Sequence, residues 1–223
     1  GGALTQAAGV ALTSNVADIA TGAGTVNLAG TANNFTTLNL STTNTDASVV
    51  DTGGLALGTV NLGTGNFTLN TTNGNLTQTG ALTSNVADIT TGAGTATLTN
   101  AGNNFTSLDL SATNTDASVA DTGGLALGTV NVGTGDFTLN TSNGTLTQTG
   151  ALTTNVANIT TGAGNLTLDN AGNNLTTAVL STTNNATLVE ANGLNLGAST
   201  VGGTLGLTVA SGDLNISAPS SVG

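Results

Sequence analysis

Large apolar residues recur at every second position along this chain, in triplets that are separated by turn-forming clusters. Examples are Leu38-Asn39-Leu40, Leu55-Ala56-Leu57 and Phe67-Thr68-Leu69, in which two large apolar side chains flank one small or polar side chain. A period of two is typical of β-strands with one buried face, and there is no apolar stripe with the helical period of about 3.6 residues. Clusters rich in glycine and asparagine lie between the triplets and suit tight turns. The pattern predicts an all-β protein of short strands and frequent corners.

A unit of about 70 residues occurs three times in the sequence, which indicates a protein built from stacked repeats. Within one repeat, Leu82, Phe105 and Leu127 follow one another at a nearly constant interval of roughly 22 residues, as coils of a solenoid would. This spacing predicts a right-handed parallel β-helix, a solenoid with roughly 22 residues per coil, three strands per coil and about three coils per repeat. Because the chain begins and ends inside repetitive sequence, we expect it to be a fragment of a longer protein. We expect a single β-solenoid domain, 1–223, with three repeats: 11–80, 81–150 and 151–218.

The composition removes most classes of chemistry. The 223 residues include no Lys, Arg, His or Cys, and 11 acidic residues give a net charge of −11. Binding of nucleic acid is not expected, because neutralising phosphates requires Lys or Arg. Nucleophilic catalysis requires a base beside the nucleophile, and none exists, so we predict that the protein is not an enzyme. No apolar run is long enough for a transmembrane helix, so no transmembrane segment is expected.

The carboxylates are the remaining candidates for chemistry. Asp46 with Asp51 recurs one repeat later as Asp116 with Asp121. Glycoside hydrolysis needs two carboxylates, but a duplicated pair argues against a unique catalytic site, so we assign no catalytic or cofactor-binding residue. Our main interpretation is that these four side chains cap turns by accepting hydrogen bonds from backbone N–H groups. The alternative is that they bind calcium, which prefers several oxygen ligands.

The sequence of the repeats resembles that of a known protein family. Segments such as Thr21-Gly22-Ala23-Gly24 and Asn66-Phe67-Thr68-Leu69-Asn70 are similar to the repeat regions of filamentous-haemagglutinin-like bacterial exoproteins and adhesins. The resemblance implies a right-handed parallel β-helix and an extracellular or bacterial outer-surface location. It also implies a structural role, as a rigid rod for adhesion or for matrix and fibre assembly, and ligands on host or neighbouring-cell surfaces.

Three other functions remain open at this stage. The uncapped ends of a solenoid expose strand edges, so the chain could be a filament or sheath subunit that associates with itself end to end or laterally. A polysaccharide-cleaving β-helix is a second alternative. Ice binding is a third and would need a regular threonine ladder. On the predicted coil, Thr77, Thr97 and Thr138 do not share a constant spacing, which argues against it.

Overall fold

The computed structural model describes every residue from Gly1 to Gly223 and confirms the predicted fold class. The chain forms a right-handed, all-parallel β-solenoid of about 11 coils, with no helix. Its 24 strands are β1 (Leu4–Thr5), β2 (Thr13–Gly22), β3 (Val26–Leu28), β4 (Asn34–Thr42), β5 (Ala47–Val50), β6 (Leu55–Asn61), β7 (Phe67–Asn70), β8 (Leu76–Gln78), β9 (Leu82–Gly92), β10 (Ala96–Leu98), β11 (Asn104–Ala112), β12 (Ala117–Ala120), β13 (Leu125–Asn131), β14 (Phe137–Asn140), β15 (Leu146–Gln148), β16 (Leu152–Gly162), β17 (Leu166–Leu168), β18 (Asn174–Thr182), β19 (Ala186–Glu190), β20 (Leu194–Leu196), β21 (Thr200–Val201), β22 (Leu205–Val209), β23 (Leu214–Ile216) and β24 (Ser221–Val222).

The coil is slightly shorter than the sequence predicted. Val26 pairs with Ala47, Ala47 with Phe67, and Phe67 with Ala87, so successive coils lie roughly 20 residues apart. At this coil length one repeat spans three and a half coils, which corrects the predicted value of about three. Equivalent residues of neighbouring repeats therefore lie on opposite sides of the rod. Ala47 stands in the column of β3, β5 and β7, whereas its equivalent Ala117 stands in the column of β10, β12 and β14.

The number of strand segments per coil also varies along the rod, in contrast to the three that were predicted. Some coils contain only one long and one short strand. In others a single strand serves two sides. Leu82 and Thr83 of β9 pair with β6, whereas Ala87 and the three residues that follow it pair with β7. The corresponding part of the next repeat, β16, pairs with β13 and β14 in the same way.

The core runs the length of the solenoid as one cluster of 45 buried hydrophobic residues. The outer residues of the triplets point inward, as the alternation predicted: Leu55 and Leu57 are buried, and Ala56 between them is half-buried. Phe67, Phe105 and Phe137 are the largest fully buried side chains. Burial of these apolar side chains is the main force that holds one coil on the next. No element is a helix that could span a membrane.

Candidate functional site

Each repeat contains one cluster of buried polar side chains, which we call the buried corner. The corner centred on Asn103 consists of Asn103 and Asp121 of the second repeat, which are buried, and of the half-buried Gln78 at the end of the first repeat; the three residues come from three successive coils. The Asn103 amide nitrogen donates to the backbone carbonyls of Leu98 (2.9 Å) and Ala120 (3.1 Å). Its amide oxygen accepts from the Leu82 backbone N–H at 2.9 Å. Asn103 is fully buried, so these bonds satisfy backbone groups that water cannot reach.

Gln78 completes the bonding of Asn103. The two side-chain amides form a reciprocal pair, in which Gln78 Nε2 donates to Asn103 Oδ1 (2.8 Å) and Asn103 Nδ2 donates to Gln78 Oε1 (3.0 Å). Gln78 Oε1 also accepts from the Asn100 backbone N–H. The same pair of amides occurs at the other two buried corners, as Gln6 with Asn33 and Gln148 with Asn173.

Asp121 is the acid of the buried corner. One carboxylate oxygen accepts from the Phe105 backbone N–H at 2.8 Å, and the other accepts from the Gly123 N–H at 2.8 Å. In the first repeat Asp51 makes the same two bonds, to Phe35 (2.6 Å) and Gly53 (2.9 Å). Each acid therefore ties the turn after a short strand to the start of a strand in the preceding coil.

The third repeat keeps an acid in this place, although the sequence spacing hides it. Glu190 accepts from the N–H groups of Leu175 (3.0 Å) and Asn192 (3.2 Å). It lies one residue earlier than the repeat spacing from Asp121 would place it, because only three residues separate Thr182 from Ala186, whereas four separate Ala112 from Ala117.

Burial controls the ionisation of these acids. In Asp51, Asp121 and Glu190 desolvation raises the pKa, and the backbone N–H bonds lower it by a smaller amount. With no Lys, Arg or His in the chain, no side-chain cation offsets the desolvation.

A second acidic position, which we call the open corner, lies at the other end of the same short strand. Asp46 accepts from the Asn66 backbone N–H at 2.8 Å, and Asp116 accepts from the Asp136 N–H at 2.9 Å. Both side chains are exposed to solvent. Asn114 at this corner has a positive φ of 58° and accepts from the Thr134 N–H.

The structure does not bring the four predicted acids together. Asp46 and Asp51 flank the four-residue strand β5, so their Cα atoms are about 16 Å apart along the strand. Asp116 and Asp121 flank β12 in the same way, on the opposite side of the rod. Each of the four carboxylates caps a backbone N–H, which is the arrangement that the turn-capping interpretation describes. Calcium binding at these residues stays a prediction.

One close pair of acids was missed from the sequence. Asp88 and Asp109 are register partners on β9 and β11 and line an open groove of about 580 Å³ with Asn66, Thr68 and Thr129. Burial raises the pKa of Asp88, and the neighbouring Asp109 charge raises it further. Asp88 can thus retain a proton more readily than an isolated aspartate. Asp88 and Asp109 lie one coil length apart in the sequence, and this spacing could have predicted that they are neighbours.

The observed coil length also changes the interpretation of the threonine positions. Thr97 pairs with Ser118, and Ser118 pairs with Thr138, so these hydroxyl side chains stack in one column. The prediction that they share no constant spacing was wrong, because it assumed too long a coil. The column is continued by Asn158, which pairs with Thr138, and then by Val179, which pairs with Asn158, so it is not a pure threonine ladder.

The parallel strand ladder and the hydrogen-bonded buried corner that recurs with each repeat define a β-solenoid repeat protein. Comparison with family models assigns it further: the repeats of unknown function DUF5649 match residues 44–111, 114–182 and 183–223. These matches cover most of the chain, and the chain belongs to this family. The first two matches begin at or beside the open corner, at Asn44 and Asn114. Comparison with curated proteins found no match, and comparison with solved structures found none.

Proposed function

We propose that this chain is a rigid structural rod in a bacterial exoprotein, located at the cell surface or outside the cell, where it serves adhesion or matrix assembly. The observation that carries the proposal is the parallel ladder, which runs without a break from β1 to β24. Each added coil extends the ladder by about 4.8 Å, so about 11 coils give a rod roughly 50 Å long. A protein of this design gains length, rather than a deeper pocket, from each duplication.

The corners support a mechanical role. In every repeat the buried corner places hydrogen bonds between coils at a point where the apolar core is interrupted by a turn. Bonds of this kind resist separation of the coils, because breaking them would leave buried backbone groups unpaired. The rod should therefore be stiff along its axis.

The proposed location outside the cell rests on the resemblance of the repeats to bacterial exoproteins. The polar side chains of the rod are mainly Asn, Thr, Ser and Asp, and no Lys, Arg or His is among them. We also propose that the rod has no catalytic role, because it lacks His, Lys and Cys. Hydrolysis of a polysaccharide by the purified chain, lost in Asp88→Asn or Asp116→Asn, would contradict this.

Rigidity can be tested by lengthening the rod. Because the chain has no Cys, spin labels can be placed at will through Thr68→Cys and Thr187→Cys, two exposed positions. Inserting a second copy of residues 81–150 after Gly150 adds three and a half coils, so it should move the Thr187 label about 17 Å further along the axis and to the opposite side of the rod, which increases the distance between the labels. Electron–electron distance measurements should give a narrow distribution before and after the insertion.

A matched control uses labels at Thr68 and Thr138, which both precede the insertion and should keep their distance. A broad distribution at Thr68 and Thr187, or no increase, would show that the chain is not a rigid rod.

The proposed location has its own test. Antibodies raised against the purified chain should label intact cells of the producing organism, and labelling only after lysis would overturn the surface role.

A further inference from the structure

One outward-facing contact between neighbouring coils recurs in all three repeats, but with different side chains. The residues that face each other across it are Asp18 and Asn39 in the first repeat, Asp88 and Asp109 in the second, and Asn158 and Val179 in the third. The same position of the fold therefore carries an acid beside an amide, an acid beside a second acid, and an amide beside an apolar side chain. Only the second repeat places two carboxylates against each other.

The first repeat shows how closely the two side chains approach. Asn39 Nδ2 donates to Asp18 Oδ1 at 2.6 Å, which is a short hydrogen bond to a charged acceptor. Asn39 Oδ1 accepts from the Thr59 backbone N–H at 3.1 Å, and this bond orients the amide so that its nitrogen faces Asp18. Two coils are thus joined by a side-chain bond on the outer face of the strand ladder.

In the second repeat Asp109 is held in the same way as Asn39. Its Oδ1 accepts from the Thr129 backbone N–H at 2.8 Å, which is the counterpart of the Thr59 bond. The other carboxylate oxygen, Oδ2, therefore takes the place of the Asn39 amide nitrogen and faces Asp88. When both acids are ionised neither has a proton to donate, so the two coils lack the bond that the first repeat makes.

We propose that Asp88 and Asp109 form a pH-sensitive clamp between two coils, in which a proton taken up from the solvent is shared by the two carboxyl groups. The proton does the work of the amide hydrogen in the first repeat, because the protonated carboxyl donates to the carboxylate of its partner. The clamp is closed when the pair holds one proton and open when both acids are ionised. It does not depend on the adhesive or structural role proposed above.

No other titratable group faces this pair. The strands that pair with β9 and β11 are β6, β7 and β13, and none of the three contains Asp or Glu. Around the two acids the groove is lined by neutral polar side chains, among them Thr68, Thr129 and Asn131. The chain has no Lys, Arg or His that could neutralise the carboxylates. A proton is therefore the simplest way to relieve their repulsion.

The direction of the pH response follows from the pKa of Asp88. Burial raises this pKa, and the neighbouring Asp109 charge raises it further. The folded chain therefore binds the proton more tightly than the unfolded chain. The stability that the clamp contributes is present at low pH and is lost as the pH rises through the folded-state pKa. Two interacting acids release their protons in two steps, and the clamp is the singly protonated state between them.

Two substitutions of Asp88 test the clamp, since each removes one charge and leaves the bond between Asp109 and Thr129 in place. Asp88→Asn provides an amide hydrogen for Asp109, so the bond between the coils should be present at every pH. Asp88→Ala removes the repulsion but provides no donor, so the bond should be absent at every pH. We expect Asp88→Asn to melt about 1–4 °C above Asp88→Ala.

The unaltered chain should move between these two limits as the pH changes. In thermal unfolding followed by circular dichroism, it should melt no higher than Asp88→Ala at about pH 7 and should approach Asp88→Asn at about pH 4. Failure to rise above Asp88→Ala at the lower pH would show that no proton is shared. Agreement with Asp88→Asn at both pH values would show that the contact does not need the proton. Either result, or equal melting of the two variants, would overturn the proposal.

An exchange at constant charge assigns the effect to this contact. Asn39→Asp/Asp109→Asn keeps the net charge at −11 and moves the pair of acids from the second repeat to the first. Titration of the carboxyl groups by nuclear magnetic resonance should show that the pKa of Asp88 falls and that of Asp18 rises. Unchanged titration of Asp88 in the exchanged chain would show that Asp109 does not share its proton, and the clamp would be rejected.

Discussion

The two corners at the ends of β12 use the same chemistry in opposite surroundings. Asp116 before the strand and Asp121 after it each accept a backbone N–H from a neighbouring coil, at 2.9 and 2.8 Å. Asp116 is exposed, whereas Asp121 is 1% exposed. In the third repeat the buried corner keeps its acid as Glu190, while the open corner has lost one residue and carries Asn185 instead of an acid. The comparison indicates that the buried corner defines the path of the coil and that the open corner tolerates change.

The largest effect should come from removing the amide at the centre of the buried corner. Asn103→Leu keeps the side-chain shape but removes the three hydrogen bonds that the amide makes with the Leu82 N–H and with the carbonyls of Leu98 and Ala120. Buried groups left unpaired cost about 1–3 kcal/mol each, so we expect a loss of about 3–5 kcal/mol in the free energy of unfolding. Urea denaturation followed by circular dichroism measures it.

The adjacent residue provides the control for this comparison. Asn104 is exposed and forms no side-chain hydrogen bond within the chain, so Asn104→Leu should change the free energy of unfolding by no more than about 0.5 kcal/mol. Equal losses in Asn103→Leu and Asn104→Leu would show that the buried corner has no special role.

The contrast between the corners also shows what the sequence can reveal. Alternating triplets predict the strands and the core, because inward and outward residues differ in hydrophobicity. The coil length was overestimated because most inward residues are apolar, so spacing alone can match the wrong positions. Phe105 was compared with Leu82, whereas it pairs with Ser84, two positions further along the chain. The amide of Asn103 was missed because a buried asparagine looks like a surface residue until the register is known. The chain has three glutamines, and each precedes the buried asparagine that it bonds by a similar number of residues. This spacing is the sequence signal that could have predicted the buried amide pairs.

A second effect, of intermediate size, should come from the acid of the buried corner. Asp121→Ala removes the acceptor of the Phe105 and Gly123 N–H groups. The expected loss is about 2–4 kcal/mol, less than for Asn103→Leu, because removal of a desolvated charge offsets part of the lost bonding. Asp116→Ala at the open corner should cost at most about 1 kcal/mol, since water can bond the freed N–H of Asp136. If Asp116→Ala proved the more costly of the two in thermal unfolding, the assignment of the two corners would be reversed.

The smallest effect should appear in the dependence of stability on pH. Burial raises the pKa of Asp51, Asp121 and Glu190 in the folded chain above the ordinary values of 3.8 for Asp and 4.5 for Glu. The folded state therefore binds protons more tightly than the unfolded state. This contribution to stability is fully present below about pH 4 and is lost as the pH rises through the folded-state pKa values. The melting temperature should accordingly be higher near pH 4 than at pH 7.

Net charge alone would act in the same direction, because eleven carboxylates repel one another when no cation is present. Two triple variants separate the causes, since each removes three charges. Asp51→Asn/Asp121→Asn/Glu190→Gln should flatten the pH profile of the melting temperature. Asp46→Asn/Asp116→Asn/Asp136→Asn, which changes only exposed acids, should leave most of the slope in place. Equal flattening in both variants would assign the pH dependence to charge repulsion along the whole rod rather than to the buried corner.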